Sequence, residues 1–147
     1  MIELPAADLW TFHPHNPIVI TTNGCIRQDG ACVMGRGVAR EAALRFQGLP
    51  YDLGAAIKQE GNRVYRWIAY NLITFPVKYH FADAADLDLI EKSAQQLVEI
   101  ADRYRLPRVY LTRVGCGNGR LTWGVVKKRL TVLDDRFYVV DKKAMPF

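Results

Sequence analysis

The stretch from Pro17 to Phe46 constrains the fold more than any other part of the chain. It opens with a short β-branched run, Ile18 to Thr22, which predicts a buried strand. It closes with apolar residues that fall on one side of a helical spiral and predict a helix: Val38, Ala39, Ala42, Ala43 and Phe46. The loop between this strand and helix contains Gly24, Gly30, Gly35 and Gly37.

A strand, a glycine loop and a helix in this order can place backbone N–H groups around an anion. Gly35 and Gly37 let the backbone approach a bound group closely, and Arg36 adds a positive charge. A plain connector is the alternative. The loop does not have the Walker pattern, because Arg36 and Gly37 follow Gly35 where Lys and Ser or Thr are needed. Arg40 stands where the dinucleotide fingerprint needs its third glycine.

Length and charge favour one domain, 1–147, with an anionic partner. A chain of 147 residues, 50% of them hydrophobic, can bury a core of its own. The net charge of +5 suits an anionic ligand or a nucleic acid, but many soluble domains carry as much without binding either. The basic residues are scattered and form no tail.

The cysteines predict reduced thiols and a cytoplasmic protein. Cys25, Cys32 and Cys116 cannot all pair, and the chain contains neither a C-x-x-C motif nor zinc-finger spacing, so we expect no metal. The N-terminal sequence lacks the basic and apolar regions of a signal peptide. Because no apolar run reaches the ~18 residues of a membrane span, we expect no membrane association.

The rest of the chain alternates strands and helices. We predict helices over 51–60, 86–104 and about 123–133, and strands over about 63–69, 71–77, 108–114 and 136–141. Asp88 and Glu91 stand at capping-box spacing near the start of the second of these helices. The pattern predicts an α/β sheet with helices on both faces.

A second glycine loop, from Gly115 to Arg120, also stands between a predicted strand and a predicted helix. Ligands of such sheets bind outside the carboxyl ends of the strands, so two glycine loops can face one ligand from two sides, as a diphosphate requires. Lys78 follows Phe75-Pro76-Val77. It is either a residue at the sheet edge that extends its ammonium group into solvent, or a residue with a functional role. Asp8 is either a surface acid or a carboxylate that accepts a hydrogen bond from a donor group of a ligand.

These motifs resemble those of a known family, the macro domains, which bind ADP-ribose. The matching segments are Ala7-Asp8-Leu9, the strand from Ile18 to Asn23, the loop from Met34 to Ala39, and Gly115 to Gly119 followed by Leu121 and Trp123. Within the family, the chain looks most like the branch of DNA ADP-ribosyl hydrolases that act as antitoxins. That branch has a V-M-G-K/R-G loop, an F-P-x-K segment and a G-C-G-N-G loop, matched here by Val33 to Gly37, Phe75 to Lys78 and Gly115 to Gly119.

The resemblance implies a three-layer α/β/α fold with a mixed central sheet, and roles for particular residues. Asp8 would accept a hydrogen bond from the adenine amino group, Asn23 would face the distal ribose, and Lys78 would lie near the distal ribose C1″ as the catalytic residue. The implied ADP-ribose-binding residues are Asp8, Leu9, Asn23, Met34, Gly35, Arg36, Gly37, Val38, Gly115, Cys116, Gly117, Asn118 and Gly119. We expect Phe75, Tyr79 and Phe81 to desolvate Lys78, and Arg36 to supply a second positive charge.

Four functions compete. The chain is an ADP-ribosyl hydrolase acting on nucleic acid or protein, an ADP-ribose reader without turnover, an ADP-ribose 1″-phosphate phosphatase, or a basic DNA-binding domain with salt-dependent affinity. Lys78 favours the hydrolase. The reader is favoured because His80, Phe81 and Ala82 follow Lys78, whereas the branch usually has His, Trp and Arg. We expect a monomer without a cofactor, with ADP-ribose or an ADP-ribosylated macromolecule as its partner.

Overall fold

A six-stranded sheet forms the centre of the molecule. The computed structural model describes residues 1–141, so 142–147 of the predicted single domain lie outside the described residues. The strands are β1 (Ile2–Leu4), β2 (Ile18–Thr22), β3 (Tyr65–Trp67), β4 (Leu72–Pro76), β5 (Val109–Thr112) and β6 (Phe137–Val140). Their order is β1-β6-β5-β2-β4-β3. Only β3 runs antiparallel to its neighbour among these strands, so the sheet is mixed, as predicted.

Helices cover both faces of the sheet, which confirms the three-layer α/β/α fold. The helices are α1 (Gly37–Arg45), α2 (Leu49–Glu60), α3 (Leu87–Arg103) and α4 (Trp123–Lys127). Successive residues of β2 point to opposite faces, so Val19 packs in the core with α3, whereas Ile18 and Ile20 pack in the core with α1 and α2. All three are fully buried, as expected for a central parallel strand.

Two sequence-based predictions about local structure were wrong, and one strand was missed. The helix predicted over 123–133 ends at Lys127, because the chain then tightens into turns that bring Leu130 and Leu133 into the α3-side core. The predicted capping box at Asp88 does not form. The N-cap of α3 is Asp86, whose side chain accepts from Leu89 N at 3.0 Å. Strand β1 had not been predicted.

The candidate residues lie at the carboxyl edge of the parallel strands. Asn23 follows β2, Lys78 stands two residues after β4, and Gly115 stands three residues after β5. Asp8 follows β1, where Ala7 N donates to Asp141 O at 3.1 Å. Parallel strands end at one edge, so side chains far apart in the sequence meet there.

Candidate functional site

The first glycine loop is fastened by the side chain of Asn23. Asn23 Nδ2 donates to Val33 O at 2.9 Å, and Asn23 Oδ1 accepts from Cys25 N at 2.9 Å. The two bonds close the loop at its base, just before Met34, which is buried. Asn23 therefore supports the loop, and its predicted contact with the distal ribose stays a prediction.

The tip of this loop is open and begins α1. Gly35, Arg36 and Gly37 are exposed, and Val38 is half-buried. The N-cap of α1 is Arg36, which makes no side-chain capping bond. The first N–H groups of a helix lack partners within the helix, so this end of α1 can donate to an anion. The geometry agrees with the phosphate role implied for Gly35 to Val38.

The second glycine loop is packed on one side and open on the other. A Cβ on Gly115 would lie 2.6 Å from Ile90 Cδ1, and one on Gly119 would lie 3.0 Å from Ala85 Cβ, so both glycines pack against the start of α3. A Cβ on Gly117 would meet nothing within 4 Å. Gly115 and Gly117 have φ of +77° and +70°, which side chains rarely adopt. Cys116 is half-buried, and burial raises the pKa of its thiol.

The two glycine loops meet at Gly37 and Asn118. A Cβ on Gly37 would lie 3.0 Å from Asn118 Nδ2. Lys78 reaches the same place, because its Nζ donates to Asn118 O at 3.2 Å and to Phe81 O at 3.3 Å. The structure thus brings Lys78 to the junction of the two loops, while its predicted place near the distal ribose C1″ stays a prediction.

The backbone around Lys78 is held by its neighbours. Val77 N donates to Thr22 O at 2.9 Å, and Asn62 Nδ2 donates to Lys78 O at 3.1 Å. These bonds fix the direction in which the Lys78 side chain leaves the sheet. A role for Asn62 had not been predicted, because the break after α2, where Asn62 stands, carries no chemical signal.

Burial and positive charge lower the pKa of Lys78. Burial is the larger cause, followed by repulsion from Arg120 and then from Arg36, while Asp83 acts in the opposite direction. The predicted role of Arg36 as a second charge is therefore supported, and Arg120 had been missed.

The predicted desolvation of Lys78 by aromatic rings was wrong. Phe75 lies in the α3-side core, whereas Tyr79 and Phe81 are 59% and 52% exposed. Phe81 reaches Lys78 through its backbone carbonyl instead. The rings form an exposed group beside the site, in which His80 and Phe81 stack with centroids 4.4 Å apart.

Asp8 and Leu9 lie at the other end of the edge. Asp8 is exposed and caps a 3₁₀ turn, its Oδ1 accepting from Trp10 N at 3.0 Å. Leu9 is buried in the same core cluster as Met34. Four strand spacings separate β1 from β4, which is roughly 19 Å at about 4.8 Å per strand. The candidate residues therefore form an elongated site, with Asp8 at one end and, toward the other end, the junction of the two loops that Lys78 Nζ reaches.

The described residues, 1–141, hold no group of three or more His, Cys, Asp or Glu placed to bind a metal ion. Within the same residues, no helix has both the length and the apolar character that crossing a membrane demands. Cys25, Cys32 and Cys116 are free thiols.

The sheet order and the paired glycine loops at its carboxyl edge define the macro domain fold. The macrodomain of Mycobacterium tuberculosis DarG superposes with a TM-score of 0.78 at 24% identity, covering 95% of this chain and 96% of that chain. The macrodomain of Thermus aquaticus DarG gives 0.75 at 23% identity, over 95% and 97% of the two chains.

A third similar structure is Thermosipho africanus DarTG in complex with ADP-ribose. It gives a TM-score of 0.69 at 20% identity and covers 89% of this chain and 39% of that longer chain. No protein-family model matches the sequence, and no curated protein matches it significantly. At these identities the likeness establishes the fold, and the resemblance to macro domains is confirmed at that level.

Proposed function

We propose that this chain binds ADP-ribose along the carboxyl edge of its sheet and releases ADP-ribosyl groups from a macromolecule. The observation that carries the proposal is the convergence of Lys78 Nζ, Asn118 O and Gly37 where the two glycine loops meet. Thermosipho africanus DarTG, 39% of whose chain superposes on this one, is in complex with ADP-ribose. This supports ADP-ribose as the ligand and a DarG-type assignment.

Each part of ADP-ribose has a matching part of the site. The diphosphate would lie between the uncapped start of α1 and the open face of Gly117. The adenine amino group would donate to Asp8, whose Oδ1 also caps the turn at Trp10. The distal ribose would then reach Lys78, roughly four strand spacings away.

Lys78 supplies the chemistry in this proposal. The bond between the distal ribose C1″ and its carrier can break in two ways. Water can attack C1″ while a positive charge stabilises the developing negative charge on the leaving carrier, or an amine can attack C1″, expel the carrier and form an adduct that water then hydrolyses. The lowered pKa of Lys78 favours the amine form more than at an ordinary surface lysine. Both routes need one lysine in a partly desolvated place.

An ADP-ribose reader without turnover is the second candidate. Lys78 Nζ holds two loops together through Phe81 O and Asn118 O, and this structural role requires no catalysis. In the reader, substitution of Lys78 would loosen the loops and weaken binding, whereas in the hydrolase it would mainly slow release.

The test is calorimetry with ADP-ribose, followed by incubation with ADP-ribosylated DNA and ADP-ribosylated protein. We expect Lys78→Ala to retain much of the affinity while the release rate falls by a factor on the order of 100 or more. Lys58→Ala, on α2, is the control and should be silent. A parent protein that binds ADP-ribose but releases none from either carrier is a reader. Release of phosphate from added ADP-ribose 1″-phosphate, with neither carrier cleaved, would make it a phosphatase.

A further inference from the structure

Arg120 connects the second glycine loop to the segment that follows Lys78. It is an exposed residue at the end of that loop, with φ of +65°. Its Nη2 donates to Ala82 O at 3.0 Å, across 38 positions of sequence. The guanidinium therefore lies against the backbone of 79–82, the same segment whose Phe81 carbonyl accepts from Lys78.

Three hydrogen bonds join residues 78–85, which include this segment, to the second glycine loop. Lys78 Nζ donates to Asn118 O at 3.2 Å, Arg120 Nη2 donates to Ala82 O at 3.0 Å, and Ala85 N donates to Gly119 O at 2.9 Å. The Arg120 bond lies between the other two along the segment. It holds the middle of an exposed stretch, Tyr79 to Ala84, whose first residue is bound to the first glycine loop through Gly24 N, which donates to Tyr79 O at 3.2 Å.

The Phe81 carbonyl precedes Ala82, so fixing Ala82 O restricts where Phe81 O can lie. We propose that Arg120 is the positioning residue of this site, which fastens segment 79–82 to the second glycine loop and thereby sets Lys78 Nζ between Phe81 O and Asn118 O. This proposal rests on the proposed function in one respect: positioning Lys78 matters for catalysis only if Lys78 is the catalytic residue. The arrangement itself is independent of turnover.

The charge of Arg120 acts on Lys78 in the same arrangement. Arg120 from the second loop and Arg36 from the first face Lys78 as like charges, and Asp83 on its own segment is the opposing charge. A neighbouring cation disfavours the ammonium form of lysine. Loss of the Arg120 charge therefore raises the pKa of Lys78 toward the ordinary lysine value.

The experiment is an NMR titration of the full chain labelled with ¹³C,¹⁵N-lysine, in which the Lys78 Nζ signal is assigned from its loss in Lys78→Arg. Arg120→Gln removes the charge and shortens the side chain by two bonds, so that its amide no longer reaches Ala82 O, whereas Arg120→Lys keeps the charge and an ammonium donor. Arg40→Gln is the matched control, because it removes the same charge from an exposed position on α1. Amide exchange of Ala85 reports whether the segment has loosened.

We expect Arg120→Gln to raise the Lys78 pKa and to speed Ala85 exchange about tenfold, the factor that corresponds to a hydrogen bond of about 1.4 kcal/mol. Arg120→Lys should keep the lowered pKa, and Arg40→Gln should change neither quantity. An unchanged Lys78 pKa or unchanged Ala85 exchange in Arg120→Gln overturns the proposal, as does an equal effect in Arg40→Gln.

A kinetic measurement separates this proposal from the proposed function. If the parent releases ADP-ribose, the limb of its pH–rate profile that reports Lys78 should move to higher pH in Arg120→Gln and return in Arg120→Lys. A limb that does not move would contradict the proposed role of Arg120 as the positioning residue of Lys78. A parent without turnover contradicts the hydrolase, while the titration still decides the role of Arg120.

Discussion

Gly54 in α2 lies directly against the carbonyl oxygen of Gly30 in the first glycine loop. A Cβ at position 54 would overlap that oxygen and lie 3.0 Å from Cys32 N. Cys32 N also donates to Pro50 O at 2.8 Å, so the loop is seated on α2 by close backbone packing. The lack of a side chain at Gly54 thus determines how the loop that begins the site can lie.

Gly54→Ala should therefore destabilise the fold. The neighbours of the new methyl group are backbone atoms that cannot rotate away, so we expect the free energy of unfolding to fall by about 1–3 kcal/mol. Gly124→Ala is the control, because its Cβ meets nothing within 4 Å and it lies in α4. It should leave stability unchanged or raise it by less than about 1 kcal/mol. Urea unfolding measures both, and equal effects would contradict the packing argument.

Gly35 and Gly37 should respond differently to alanine. A Cβ at position 35 would meet nothing within 4 Å, and Gly35 does not have a positive φ. Gly35→Ala should therefore change stability by less than about 0.5 kcal/mol. Its ADP-ribose affinity should still fall, by about 1–3 kcal/mol, if the ligand approaches the backbone there. Calorimetry measures this affinity, and an unchanged value would place the diphosphate elsewhere.

Gly37→Ala should lose stability even without a ligand. Its φ of +57° costs a side chain about 1–2 kcal/mol, and the new methyl would press on Asn118 Nδ2. Thermal unfolding of the ligand-free protein is the measurement, with Gly35→Ala as the matched neighbour. A Gly37→Ala protein as stable as the parent would mean that the loops do not touch as described.

Asp8 should show two separable roles. Asp8→Ala removes the cap on Trp10 N and should cost about 1 kcal/mol of stability. Asp8→Asn keeps a side-chain oxygen for this cap, so its stability should stay close to that of the parent. Both variants should lose about 1–3 kcal/mol of ADP-ribose binding if the carboxylate pairs with the adenine amino group. If Asp8→Asn binds ADP-ribose as tightly as the parent, the carboxylate does not recognise the adenine amino group.

Asp29 should stay ionised to unusually low pH. Hydrogen bonds from Arg27 and from Ala31 N lower the pKa of Asp29 to about 2. A lowered folded pKa contributes stability above the unfolded value of 3.8, and this contribution is lost as the pH falls toward about 2. The side-chain ¹³C resonance of Asp29 should therefore titrate with a midpoint near 2. A midpoint near 3.8 would show that the bonds from Arg27 are not maintained in solution.

The sequence predicted those elements of the fold that local residue patterns encode. The β-branched run at β2 and the apolar stripe of α3 determine those elements, and the glycine loops mark the edge where the site lies. Strand β1 was missed because it has only three residues and pairs with β6, whose distance in sequence leaves no local signal.

The contacts of the site were less predictable than its residues. Arg120 reaches Ala82 through tertiary packing, and no spacing in the sequence indicates that contact. The aromatic residues after Lys78 were predicted to cover it because composition cannot tell the direction of a side chain. The structure turns Tyr79 and Phe81 outward and leaves the backbone to hold the amine.

The position of β6 between β1 and β5 has a consequence for synthesis on the ribosome. Strand β1 is made first, yet its partner β6 emerges only after β5 and α4. Until then β1 has no neighbour, and Ala7 N lacks the Asp141 carbonyl that anchors the approach to Asp8. Because the chain is synthesised from its N-terminal side, the Asp8 end of the edge cannot be completed before β6 has been made. A nascent chain that stalls before β6 would thus contain the sequence of both glycine loops and still lack the strand that completes this end of the site.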